Sequence, residues 1–248
     1  GDTYEFSLGG GAKPGDDGFV NLTGYYRDHK AANRAEPDTR QFYLGTAPNG
    51  SLQPLSARYG AGIGLNPPGG VAGTRLDPRE ATVDRNVWRF ADQGDVEDWS
   101  LVANLEKQLG DVTFYSFGGY RVSNAHSNAS FRRPGQDENV RAIYPDGFLP
   151  FINTESTDYS AAIGLPGELA GWKWDLSGIY GGNTIEYRTE KTLNATLGTA
   201  SPTAFYNGKY SNAQWTANLT VSNAFDVGFA QPVEIASRIN KSPAHRVG

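Results

Sequence analysis

Apolar and polar residues alternate along much of the chain, most clearly in residues 171–182, GWKWDLSGIYGG. In an extended strand, successive side chains point to opposite faces. Trp172, Trp174, Leu176 and Tyr180 therefore share one face, and the polar residues between them share the other. Aromatic residues at both ends of an apolar face, opposite a polar face, are typical of a membrane-spanning strand that borders a wet lumen.

The same alternation predicts about eight strands along the chain. Gly110-Asp111 and Ala170-Gly171 provide short turns between neighbouring strands, whereas segments of roughly 20 to 65 residues join others. Short turns at one end and long loops at the other are typical of outer-membrane barrels. The predicted fold is therefore all-β, with about eight antiparallel, up-and-down transmembrane β-barrel strands and long extracellular loops. The predicted strands cover residues 3–8, 19–28, 97–109, 112–122, 157–169, 171–188, 210–225 and 227–235.

The period-two pattern extends to about Ile235 and divides the chain into two parts. Residues 1–235 are predicted to form a partial β-barrel domain, and residues 236–248 an unpatterned C-terminal tail. The predicted loops cover residues 29–94, 123–156 and 189–209. Unpatterned segments of this length are uncommon in compact soluble domains, which favours the barrel interpretation.

Composition narrows the classes of partner and site. The 248 residues carry a net charge of −5, which would repel a nucleic acid backbone, so no nucleic acid partner is expected. The chain contains no cysteine, which excludes disulfides and thiolate metal sites. No apolar run approaches the ~20 residues of a membrane-spanning helix. A role in a membrane would therefore depend on strands.

Four segments of the chain stand out: residues 18–27 (GFVNLTGYYR), 142–150 (AIYPDGFLP), 158–176 (DYS leading to GWKWDL) and 193–203 (LNATLG followed by SPT). In combination they resemble the barrel domain of TonB-dependent outer-membrane receptors. The resemblance spans roughly residues 1–235. It implies a location in the bacterial outer membrane, contact with lipid and lipopolysaccharide, and a barrel of about 22 strands with a plugged lumen. It also implies import of siderophores, cobalamin, sugars or peptides. The plug and the TonB-contacting segment of that family are not recognisable, so contact with TonB is expected only as part of a longer chain.

The loop at residues 123–156 has the composition of a binding loop. Aromatic rings stack on sugars or flat chelates, and guanidinium groups bind carboxylates in pairs of hydrogen bonds. This chemistry predicts an acidic or glycan ligand, and the resemblance implies that a siderophore or another small molecule also fits the loop. In the alternative interpretation, the rings pack the loop onto the barrel rim and the arginines meet lipopolysaccharide phosphates. The candidate ligand-binding residues are Arg132, Arg133, Arg141, Tyr144, Phe148 and Phe151.

Four carboxylates, Asp92, Asp95, Glu97 and Asp98, lie together at the end of the first long loop. Oxygen ligands of this kind bind Ca²⁺, although the order of ligands is not that of an EF-hand. Calcium is therefore the one candidate metal. The alternative is a solvated acidic rim.

An enzyme is not expected, and no catalytic residue is predicted. The sequence contains no nucleophile elbow, no phosphate-binding loop and no zinc-binding HExxH motif. His29, His126 and His245 are predicted to lie in loops or in the tail.

Three functions remain open. The chain is predicted to be a segment of a TonB-dependent receptor barrel that contributes pore wall and ligand-binding loops. It could instead be an autonomous small outer-membrane barrel, either porin-like or an anchor. The third alternative is a self-assembling structural protein, because unpaired sheet edges recruit further chains.

Overall fold

The computed structural model describes residues 1–53, 73–89, 94–242 and 244–247. The described chain is all-β, with 59% of residues in strands and almost no helix. Two short 3₁₀ helices span Pro78–Ala81 and Ala195–Ala200. The strands are β1 (Thr3–Ala12), β2 (Gly18–His29), β3 (Gly45–Thr46), β4 (Leu52–Gln53), β5 (Asp95–Leu109), β6 (Val112–Asn128), β7 (Phe151–Leu169), β8 (Trp172–Glu190), β9 (Ala204–Phe225), β10 (Val233–Lys241) and β11 (Ala244–Val247).

One antiparallel sheet contains all the long strands, in the order β1-β2-β5-β6-β7-β8-β9-β10. The short strand β11 pairs with β9 beyond the end of β10, and β3 pairs only with β4. This arrangement confirms the all-β, antiparallel, up-and-down prediction and the number of about eight strands. The sheet is not closed, because β1 and β10 are the two edges and are not paired with each other.

Short and long connections lie at opposite ends of the sheet, as predicted. At one end, Gly110 turns β5 into β6 with φ 66°, and Ala170-Gly171 turns β7 into β8 with φ values of 51° and 79°. Two successive positive φ values define the hairpin turn whose twist matches that of its strands. At the other end, residues 30–94, 129–150 and 191–203 join β2 to β5, β6 to β7 and β8 to β9.

Several predicted boundaries were wrong. β6 continues to Asn128, β7 begins at Phe151 and β9 begins at Ala204, so the loops are shorter than expected. Strand β10 extends through Lys241, so part of the predicted unpatterned tail is a strand. In β10 the apolar positions Ile235 and Ile239 are separated by Ser237, which hides a period-two pattern that pairing with β9 reveals.

The cross-strand register gives the sheet two chemically different faces. Leu176 of β8 lies opposite Leu165 of β7 and Leu219 of β9, whereas Ser177 lies opposite Gly164 and Asn218. We call the first side the apolar face and the second the polar face. Most of the exposed large hydrophobic residues of the sheet lie on the apolar face, among them Tyr4, Phe6, Leu8, Leu22, Trp99, Leu101, Ile163, Trp172, Leu176, Tyr180, Trp215, Leu219, Ile235 and Ile239.

The hydrophobic core of the described residues lies in the loops and not in the sheet. Phe42, Tyr43 and Phe131 are buried together, and partly buried hydrophobic residues pack around them. These residues belong to the β2–β5 and β6–β7 connections. We call the unit formed by residues 31–53, 73–89 and 129–150 the loop cap. Among the described residues, no helix is both long and apolar enough to cross a membrane.

Candidate functional site

The loop cap joins two long connections through a buried aromatic contact. The ring of Phe42, which is fully buried, lies 5.5 Å from the ring of Phe131, centroid to centroid. The backbone N–H of Gly135 donates to the carbonyl of Phe42 at 2.9 Å. Arg133, which is only 1% exposed, donates through Nη1 to the carbonyl of Gln41 at 2.9 Å. The two connections therefore fold as one unit above one end of the sheet.

A buried carboxylate holds the first connection in shape. Oε1 of Glu80 accepts hydrogen bonds from the backbone N–H groups of Phe42 and Tyr43, both at 2.7 Å. Its Oε2 accepts from Nη2 of Arg85 at 2.7 Å. Glu80 lies in the 3₁₀ helix that begins with Pro78, and Asp77 caps this helix by accepting from the backbone N–H of Arg79. A cap residue followed by proline favours a helix start, which fixes the position of Glu80.

A second buried acid, Asp38, completes this network. Its Oδ2 accepts from Nη2 of Arg40 at 2.6 Å and from the indole Nε1 of Trp88 at 2.7 Å. Burial raises the pKa of Asp38, but the hydrogen bonds from Arg40 and Trp88 outweigh burial and leave the pKa below its ordinary value. Asp38 is therefore charged at neutral pH and part of the framework of the loop cap.

The predicted ligand-binding residues divide into a packed group and an accessible group. Arg133 and Phe148 are buried, and burial lowers the pKa of Arg133. Arg132 and Phe148 form an antiparallel bridge through their backbones, and the ring of Tyr144 stacks on that of Phe148 at 4.6 Å. Arg141 is exposed, and Arg132 and Tyr144 are partly exposed. Arg133 and Phe148 are therefore enclosed within the loop cap, whereas Arg141, Arg132 and Tyr144 have surface open to solvent.

Phe151 lies outside the loop cap, at the first position of β7. Its ring stacks on the imidazole of His126 at 4.5 Å, and Nζ of Lys191 lies 5.1 Å from the same ring. His126 is in β6 and not in a loop as predicted, and its Nδ1 is hydrogen-bonded to Oδ1 of Asn153. His29 is likewise in a strand, as the last residue of β2.

Phe151 lies near a polar cleft of about 370 Å³ at the loop end of strands β2 and β5–β8. Glu97 accepts from the hydroxyl of Tyr26 at 3.1 Å, and Glu186 pairs with Arg188 at 2.6 Å. The cleft was not predicted. Only the cross-strand register, which places Glu97, Glu155 and Glu186 in one row, reveals it. Its lining comprises Asp28, Lys30, Asp95, Val96, Glu97, Asn124, Ala125, His126, Asn153, Thr154, Glu155, Glu186 and Arg188.

The predicted calcium site is not assembled by the described residues. Strand alternation directs Asp95 and Glu97 to one face of β5 and Asp98 to the other. Asp98 is buried and pairs with Nη2 of Arg121 at 2.8 Å. Asp92 lies outside the described residues. Within the described part of the chain, no group of three or more histidine, aspartate or glutamate side chains could hold a metal ion.

A second cleft, of about 400 Å³, opens on the loop cap beside Tyr43, Arg79, Asp84 and Asp146. The guanidinium of Arg79 lies 3.9 Å from the ring centroid of Tyr43. The hydroxyl of Tyr43 donates to Oδ1 of Asp146 at 2.7 Å. Burial, followed by this hydrogen bond, raises the pKa of Tyr43 to about 12.

Both clefts present carboxylates and guanidinium groups at the loop end of the sheet. Such groups bind polar solutes through charge-assisted hydrogen bonds. No known protein-family model matches the sequence, and no curated protein matches it at a significant level.

Proposed function

We propose that the chain forms part of the wall of a bacterial outer-membrane β-barrel of the TonB-dependent receptor kind. In this proposal the apolar face contacts lipid, the polar face borders the lumen, and the loop cap lies outside the cell. The separation of apolar and polar residues between the two faces of the sheet carries the proposal.

The apolar face is larger than the apolar patch that a soluble monomer usually exposes. Eight strands spaced about 4.8 Å apart give a width of roughly 38 Å. Along β8, the eight residue steps from Trp172 to Tyr180 give a height of roughly 26 Å. The product is on the order of 1,000 Å², whereas monomeric soluble proteins rarely expose an apolar patch beyond about 300–600 Å². The height also agrees with the apolar band of about 25 Å in outer-membrane barrels.

Aromatic residues lie at both limits of this band. Near the loop end, Trp99 lies 5.4 Å from Tyr120, and Tyr159 lies 5.9 Å from Tyr180, ring centroid to centroid. Near the turn end, Trp172 of β8 lies 6.0 Å from Phe225 of β9. Aromatic rings favour the two interfaces between lipid and water. The carboxylates of the polar cleft lie beyond the loop-end aromatic residues, where headgroups and water are expected.

The polar face carries charged side chains that pair with oppositely charged or polar neighbours. Asp98 pairs with Arg121, and Oδ1 of Asp158 accepts from Nδ2 of Asn183 at 2.6 Å. Charged residues at membrane depth are stable where they face a water-filled lumen or a polar plug. This supports the assignment of the polar face to the lumen.

Two neighbouring positions on β8 test the proposal directly. The chain has no cysteine, so Leu176→Cys and Ser177→Cys each introduce a single thiol for a spin label. In lipid vesicles, the label at 176 should collide mainly with oxygen dissolved in lipid, and the label at 177 mainly with a water-soluble nickel chelate. Thr196→Cys, in the 3₁₀ helix after β8, is the aqueous control. Equal accessibility of positions 176 and 177 to both reagents would refute the proposal.

The ligand class is proposed from the accessible residues at the loop end. The Arg79 and Arg188 side chains lie at the two clefts, and Arg141 is exposed. Guanidinium groups favour carboxylate and phosphate groups, so we expect an acidic chelate or an acidic glycan. If Arg79→Gln and Arg188→Gln leave the binding of a ferric carboxylate chelate and of an acidic oligosaccharide unchanged in calorimetry, this ligand class is wrong.

A further inference from the structure

The two edge strands of the sheet, β1 and β10, are exposed along their whole length and, within the described residues, have no partner on their outer sides. All ten residues of β1 and all nine of β10 are exposed. Leu8 of β1 is 69% exposed and Ile239 of β10 is 68% exposed, compared with 49% for Leu22 and 36% for Leu219 on the adjacent strands. The excess exposure at the edges arises because each edge strand has a neighbour on one side only.

Both edges carry few of the features that usually prevent pairing. Soluble proteins protect sheet edges with lysine, proline, bulges or charges that point inwards. Strand β1 contains no lysine, arginine or proline, and its one charge, Glu5, lies on the polar face. In β10, Glu234 and Arg238 also lie on the polar face, and Lys241 stands at the end of the strand. The apolar residues of β1 additionally line a cleft of about 980 Å³ with residues of β2.

The direction of the strands makes the two edges compatible with each other. Successive strands of the sheet are antiparallel, and β1 and β10 are the first and the last of eight. The two edge strands therefore run in opposite directions. Strand β10 of one chain can therefore pair antiparallel with β1 of another while the apolar faces remain on the same side. Such a head-to-tail contact leaves a free edge at each end, which allows a ring or a longer assembly.

One register of a β1–β10 pair gives compatible neighbours on both faces of the sheet. If Glu5 lies opposite Arg238, strand geometry also places Tyr4 opposite Ile239 and Leu8 opposite Ile235. Glu5 is already 3.6 Å from Nε of Arg27, and Arg238 donates to Oδ1 of Asn218 at 3.1 Å. A carboxylate accepts up to about four hydrogen bonds and a guanidinium donates about five, so both groups retain capacity for a new partner.

We propose that the β1 edge of one copy of this chain pairs with the β10 edge of a second copy, in the register that places Glu5 opposite Arg238. The pairing depends on edge backbone groups and on complementary charge. It goes beyond the proposed membrane function and does not require a lipid bilayer, so the two proposals can fail separately.

Disulfide trapping between two chains tests the register. In the proposed register Ser7 faces Ala236, and both are exposed on the polar face. Chains with Ser7→Cys, mixed in detergent with chains carrying Ala236→Cys, should form a mixed disulfide dimer under mild oxidation, because directly opposed positions satisfy disulfide geometry. Ser237→Cys is the matched control. It lies one position along on the apolar face, and its dimer yield should be lower by about five-fold or more.

Charge reversal tests the chemistry of the contact. Glu5→Lys in the Ser7→Cys chain should lower the dimer yield about two- to five-fold, because like charges directly opposite each other are destabilising. Arg238→Glu in the Ala236→Cys chain should restore the yield with this partner. Far-UV circular dichroism of each variant confirms that the sheet has formed before oxidation.

Each alternative outcome is decisive. A doubly substituted chain, with Ser7→Cys and Ala236→Cys, should give dimers whose yield rises with protein concentration. A disulfide within a single chain at all concentrations would mean that the sheet closes on itself, which overturns the proposal. Equal yields from Ala236→Cys and Ser237→Cys, or no mixed dimer at all, would overturn it as well.

Discussion

Replacing Glu80 with alanine should destabilise the loop cap and leave the sheet intact. Glu80 is 6% exposed and accepts three hydrogen bonds of 2.7 Å, from the backbone N–H groups of Phe42 and Tyr43 and from Arg85. Alanine removes all three acceptor contacts and leaves two buried N–H groups without a carboxylate. The two backbone contacts connect residues 38 and 37 positions apart, so no local structure replaces them.

The expected loss of loop-cap stability follows from the burial of the Glu80–Arg85 ion pair. Breaking a buried ion pair by removing one partner costs about 3–5 kcal/mol, because the remaining charge is left uncompensated. Arg85 keeps its hydrogen bonds to the carbonyls of Asp38 and Arg40, which favours the lower end of that range. A loss of about 3 kcal/mol corresponds to hydrogen exchange that is roughly a hundred-fold faster. The amides of Phe42 and Tyr43 should show this increase by exchange and mass spectrometry.

Glu186→Ala is the matched control. Glu186 also forms a 2.6 Å contact with an arginine, but the side chain of that arginine, Arg188, is 63% exposed. Exposed ion pairs contribute about 0–1 kcal/mol, so exchange in the loop cap should not change. If Glu80→Ala changes exchange at Phe42 and Tyr43 by less than about three-fold, or accelerates exchange equally in the sheet, then Glu80 does not hold the cap together.

Three further substitutions test separate parts of the chain. Asp146→Asn should lower the pKa of Tyr43 from about 12, because it removes the carboxylate that favours the neutral phenol; ultraviolet titration measures the shift. In the parent chain, the stability linked to Tyr43 is fully present below the ordinary pKa of about 10 and is lost as the pH rises towards 12, so the loop cap should become less stable in that window. Ala170→Asn should stabilise the β7–β8 turn by about 0.5–1 kcal/mol in chemical denaturation, because asparagine tolerates the positive φ of 51° better than alanine does. Gly164→Ala should destabilise the sheet by about 1–3 kcal/mol in the same assay, because the new methyl group would lie about 2.1 Å from the ring of Tyr115.

The strands were predictable because their pattern is local. The alternation at residues 171–188 maps directly onto β8, Trp172–Glu190, and the Ala170-Gly171 turn lies where glycine follows the end of an apolar run. Alternation fixes which face each side chain occupies. It does not fix which residue of the neighbouring strand lies opposite, because a shift of two residues preserves both faces. The row formed by Glu97, Glu155 and Glu186 was therefore not predictable.

The loop cap could not be predicted because its contacts are distant in sequence. Phe42 packs on Phe131, and Arg133 donates to Gln41 across 92 positions. No local period marks either contact. Aromatic residues and arginines in a loop also serve packing and ligand binding equally well, so composition did not distinguish buried Arg133 from exposed Arg141.

The distribution of burial separates the chain into two parts with different sources of stability. Among the described residues, the buried hydrophobic side chains of the loop cap are Phe42, Tyr43, Ala47, Phe131 and Phe148, and Ala162 is the one such residue in the sheet. The cap therefore has its own hydrophobic core in water. The sheet has hydrogen-bonded strands but few fully buried hydrophobic side chains, and burial is the dominant favourable term in folding. In the two proposals, lipid covers the apolar face and further strands cover the edges, so both concern burial of the same exposed sheet.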